Sequence, residues 1–141
     1  MNNNQKMLKA IYQNTEMGKE TLHRMIKQCR DENFRHAMAE QFAEYHGLQD
    51  ECYALMTEHD MKRPSEKVFS SLAYTSLYFN LRIDRTSSHM AEMVMQGSLM
   101  GVIDIARHIR EIGEVDEDVR KLAEKLLATE EHNLKDMQKY L

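Results

Sequence analysis

Proline occurs once in this chain, at Pro64, and glycine five times, so few positions can interrupt a helix. No segment alternates with the two-residue period of a strand, whereas apolar residues recur at three- and four-residue intervals over long stretches. A chain patterned this way is all-α. Its 141 residues suffice for one domain whose core needs no disulfide or metal staple, and residues 1–141 read as a single helical bundle.

The first helix is expected from about Asn4 to Arg30, with Leu8, Ile11, Tyr12, Thr15, Gly18, Leu22, Met25, Ile26 and Cys29 on one stripe. Asp31 can cap the second helix, about Glu32 to His59. That helix turns Phe34, Met38, Gln41, Phe42, Tyr45, Leu48, Cys52, Leu55 and Met56 inward, and the near-absent loop before it predicts an antiparallel hairpin. Pro64 marks a break, because proline disfavours helical geometry in the residue before it.

A shorter helix is expected over Ser65 to Ile83, then a long one from about Ser88 to Ile112, with Thr86-Ser87-Ser88 offering capping hydroxyls and Gly113 a stop. The last helix, Val119 to Leu141, is expected to be capped by Asp116 with Glu117 and Asp118, which place negative charge at its positive end. Two hairpins joined by a short helical crossover make a four-helix bundle of ferritin-like connectivity. The Ser88 to Ile112 helix is apolar on a second side through Met95, Leu99, Val102 and Ile103. That side, with Tyr74, Tyr78 and Phe79 of the crossover, is expected to form a homodimer interface or to be covered by the crossover helix.

Interspersed charges and a net charge of −4 argue against nucleic acid or an anionic membrane surface as partner. No apolar run approaches membrane-spanning length, and no cleavable signal is apparent at the polar start, so a cytoplasmic protein is expected. Cys29 and Cys52 read as buried, unpaired thiols, and the 12 methionines as adaptable core.

Glu130 is the residue with most chemical content. It falls on the apolar stripe of the last helix with Leu122, Leu126, Leu127, Leu134 and Met137, and a core carboxylate must be paired, protonated or metal-bound. Di-iron bundles take a glutamate from each of two helices and a Glu-x-x-His pair from each of the others, since residues three apart share a face. Here Asn133 stands where the histidine of Glu130 would be, Gln41 with Glu44 is a weakened pair, and Thr15 and Gly18 occupy the first helix's inward positions. The literal match, Glu20-x-x-His23, lies on the polar side. His36 with Glu40 and His46 with Asp50 are spaced four apart on exposed or marginal faces. On the third long helix Gly97 and Gly101 share a face with His108 and are expected to permit close backbone approach. Glu130 is thus expected to be protonated or paired to His108 in a hydrogen-bonded core.

Over most of its length, without gaps from Ile11 to about Cys52 and more loosely over Val119 to Leu141, the chain resembles a bacterial branch of the ferritin-like superfamily to which no activity is assigned. The residues that carry the likeness are Thr15, Gly18, Phe34, Ala39-Glu40, Glu44, Ala91-Glu92 and Gly97. The resemblance implies a self-associating ferritin-like bundle. Iron-binding members of the wider superfamily carry the full Glu-x-x-His set, from which this sequence departs on every helix.

The expectation is therefore a non-enzymatic bundle acting through self-association or protein binding, as a homodimer or other homo-oligomer, with a degenerate di-iron site and no cofactor. The alternative is an atypical iron- or manganese-binding or redox protein with Glu130, Glu44 and His108 as ligands.

Overall fold

A computed structural model describes residues 1–64 and 84–141. Among them are four α-helices and no strand: α1 (Asn3–Gln28), α2 (Glu32–Glu58), α3 (Ser87–Ile112) and α4 (Glu117–Asp136), followed by a 3-10 turn, Met137–Tyr140. The helix expected over residues 65–83, with Tyr74, Tyr78 and Phe79, lies outside the described residues. No helix of the described residues is long and apolar enough to cross a membrane.

The ends follow from local chemistry. Asn2 and Gln5 form a reciprocal capping box on α1. Asp31 accepts from the Asn33 and Phe34 amides at the start of α2. Thr86 accepts from the His89 amide at the start of α3; caps of this kind contribute about 1 kcal/mol each. Gly113 ends α3 at φ 88°, a left-handed conformation that glycine adopts without Cβ strain. Asp116 precedes α4 without capping it; Asp118 instead accepts from its neighbour's amide, Val119, at 2.8 Å. α4 stops earlier than its apolar stripe suggests, because the last turn tightens to 3-10 geometry.

The four stripes meet in one core. Leu8, Ile11, Leu22, Met25, Phe34, Met38, Met56, Met90, Ile105, Leu126 and Met137 are almost completely excluded from solvent, and burying each such side chain is worth about 1.5–3 kcal/mol. Across α1 and α2, partner numbers rise on one helix as they fall on the other. Gln5 Nε2 donates to His59 O, the Tyr12 ring packs on Tyr53, Thr15 Oγ1 accepts from Gln49 Nε2, and Lys19 Nζ lies 3.1 Å from His46 Nδ1. Across α2 and the α4 region the same order holds: Phe34 packs on Tyr140, Tyr45 bonds Glu130, and Glu51 pairs with Lys125. Across α1 and α3, Asn3 donates to Glu114 O and Asn14 to Gly101 O.

Candidate functional site

Gln41, Tyr45 and Gln49 recur every four residues on α2 and so share its inward face; all three are buried. Opposite them α4 turns in Glu130 and Asn133, three apart and each 2% exposed. Tyr45 Oη donates to Glu130 Oε2 at 2.9 Å, and the buried Ser98 of α3 lies near the same tyrosine. A polar pair thus joins α2 to α4 through the core, with α3 beside it.

Two glycines make room for it. The Tyr45 ring lies across α1 at Gly18, where a Cβ would stand 2.6 Å from Cζ. On α3 a Cβ at Gly101 would overlap the Glu130 carboxyl group. Asn14 of α1 closes this corner by donating to Gly101 O at 3.1 Å. Gly97, one turn away from Gly101, faces open space, so the close approach expected of both glycines belongs to Gly101 alone.

Burial raises the Glu130 pKa to about 8; the hydrogen bond from Tyr45 and the nearby Asn14 amide oppose the rise, and the Asp104 charge adds to it. The carboxyl group is therefore mostly neutral at pH 7. Tyr45 is pushed well above the usual phenol range by burial and then by Glu130, so it remains a donor. Glu130 Oε1, Gln41 Nε2 and Asn133 Nδ2 are buried without a hydrogen-bond partner, an arrangement that costs about 1–3 kcal/mol per group.

A second polar group lies further along α2. Gln49 receives a hydrogen bond from Lys19 Nζ at 2.8 Å and donates to Glu16 Oε2 at 2.7 Å and to Thr15 Oγ1 at 3.4 Å. Thr15 Oγ1 donates back to Ile11 O and Tyr12 O. The inward position of Thr15 is thus satisfied by its own helix and by Gln49.

A di-iron centre takes several carboxylates at one place, and among the described residues the inward set is one acid, two amides and a phenol, which does not fit one. The set Glu130, Glu44 and His108 is not brought together. His108 is partly exposed and bonds its own turn, with Nδ1 2.8 Å from Asp104 O; the expected pairing to Glu130 is replaced by Tyr45. Glu44 is on the exposed edge of α2, its pKa raised by partial burial and by Glu40 and Asp136 against the lowering effect of His132. His36 with Glu40 and His46 with Asp50 do pair, at 3.2 and 3.5 Å, but on the surface.

Among the described residues, the group whose donor atoms lie within 4.8 Å of one another is His59, Asp116 and Asp118. It sits at the N-terminus of α4, whose positive end opposes a cation, and Asp118 is already engaged by Val119 N. Both cysteines are buried and unpaired, and burial pushes the Cys52 thiol up to about 12, too high for a nucleophile at neutral pH.

Asn14, Ser98 and Gln49 are the members of this core that the sequence pattern does not turn inward; Tyr45 is expected inward, but as apolar bulk without a polar partner. Gln41, Tyr45 and Gln49 carry a signal, their four-residue spacing; Asn14 and Ser98 do not, because each flanks its helix's apolar stripe. Comparison with family models, curated proteins and solved structures finds no match to this chain.

Proposed function

We propose that the chain is a ferritin-like bundle in which a neutral, hydrogen-bonded Glu130 occupies the place of a metal centre, and that it acts by self-association. The connectivity is supported by the opposite numerical order of partners across α1 and α2 and across α2 and α4. It is supported too by Ser87 Oγ of the α3 start lying 3.3 Å from Asp31 Oδ2 at the start of α2. With both helices beginning at one end, α2 and α3 run in the same direction, as the second and third long helices of a ferritin-like bundle do.

One observation carries the self-association reading. The outer side of α3 leaves Leu99 47%, Met100 64% and Ile103 47% exposed, although α3 already contributes Met90, Ala91, Val94 and Ile105 to the core. Grouped apolar exposure on one helix face marks an interaction surface. An iron or manganese site would need further carboxylates or histidines beside Glu130, and among the described residues the buried polar groups on its side of the core are Gln41, Tyr45 and Asn133.

Sedimentation velocity over a wide concentration range tests the proposal. The wild-type chain is expected to dimerise with concentration, and Leu99→Lys/Ile103→Lys to stay monomeric with unchanged helicity. A wild-type chain that is monomeric throughout would overturn it.

A further inference from the structure

The outer stripe of α3 is complementary to itself, which identifies its partner. At ~100° per residue, Leu99 and Ile103 lie within about 20° of the line opposite Gly101, the residue that faces Glu130 in the core. Glu92 and Arg110 fall on that same line, and all four side chains are exposed. Leu99 and Ile103 stand two residues to either side of Gly101, and Glu92 and Arg110 nine residues to either side.

We propose that α3 packs against α3 of a second copy, antiparallel, about a two-fold axis passing near Gly101. This rests on the self-association reading above and specifies its geometry. A two-fold axis brings each residue opposite the one equidistant on the far side of Gly101, so every contact occurs twice. Leu99 then meets the second copy's Ile103, and Glu92 meets its Arg110, at both ends of an interface about 27 Å long. Helix axes 8–10 Å apart leave glutamate and arginine within reach of each other.

Charge also selects the direction. In a parallel pair each Glu92 would face Glu92 and each Arg110 would face Arg110, and like charges placed opposite one another suppress that arrangement. A partner of other sequence would need an apolar pair flanked by the reversed charges at the same spacing; a second copy has this pattern already.

The experiment is charge reversal on the full chain, with dimer dissociation followed by sedimentation and helicity by circular dichroism. Glu92→Arg and Arg110→Glu should each weaken the dimer roughly tenfold or more, since two attractive pairs become repulsive. The double variant Glu92→Arg/Arg110→Glu rebuilds both pairs and should return to within about threefold of wild type. All these positions are exposed, so each variant should keep wild-type helicity. If the single reversals leave dissociation unchanged while Leu99→Lys/Ile103→Lys abolishes the dimer, the antiparallel two-fold arrangement is wrong and self-association through this face stands. If the double variant is as weak as the singles, the arrangement is likewise wrong. If the wild-type chain never dimerises, the self-association reading itself falls.

Discussion

Tyr45 Oη and Glu130 Oε2 meet at 2.9 Å from positions 85 residues apart in the chain. The bond joins α2 to α4 within the core. It also gives the acid a neutral donor, which tempers the effect of burial on Glu130 without cancelling it.

The pH dependence of stability follows from that balance. The folded pKa of Glu130, about 8, lies above the ordinary 4.5, so between these values the folded state binds the proton that the unfolded state has lost. Stability from this group is full below pH 4.5 and falls by about 1.4 kcal/mol per pH unit until pH 8. Glu130→Gln, which keeps the acceptor and cannot ionise, should remove the slope. Denaturant titrations of both proteins from pH 5 to 9 check this: the variant should gain on wild type as pH rises.

Tyr45→Phe removes the donor and keeps the ring. Glu130 then loses the bond to Oε2 while Oε1 already has none, so stability should drop by about 1–3 kcal/mol. The loss should be larger at pH 8 than at pH 5, because the ionised acid depends more on the donor. Equal losses at the two pH values would separate Tyr45 from the ionisation of Glu130.

The two α3 glycines should respond in opposite senses. Gly97→Ala meets open space and should stabilise the helix by about 0.5–1 kcal/mol. Gly101→Ala places a methyl where the Glu130 carboxyl lies, and overpacking there should cost about 1–3 kcal/mol. Thermal denaturation of the pair, alone and on a Glu130→Ala background, checks the assignment. Removing the carboxyl should rescue most of the Gly101→Ala loss.

Helical pattern made much of this architecture readable. Asp31, Thr86 and Gly113 sit at helix ends because capping and left-handed turns are local chemistry. Glu130 is buried because a residue on an apolar stripe goes where the stripe goes. What could not be read was the partner. Tyr45 lies on the α2 stripe and looks like core aromatic bulk; its role depends on the register between α2 and α4, which arises from packing between distant segments. His108 shows the converse. It shares a face with Gly101, but its ring bonds to Asp104 within its own turn, a contact close to solvent that competes with reaching into the core.

Anaerobic loading with iron or manganese should leave Glu130 unligated at pH 7. Elemental analysis after gel filtration is expected to give the same metal content for wild type and Glu130→Ala. Stoichiometric metal in wild type that disappears in the variant would restore the metal-centre reading.

The protonation state of Glu130 tests the account most directly. Isotope-edited infrared spectroscopy of the folded chain, with glutamate carbonyls labelled, reads the protonated carboxyl stretch against pH. A protonated band present at pH 7, absent from Glu130→Gln and lost with a midpoint near pH 8, where the Glu130 pKa lies, is the predicted result. Complete ionisation of Glu130 by pH 6 would contradict it.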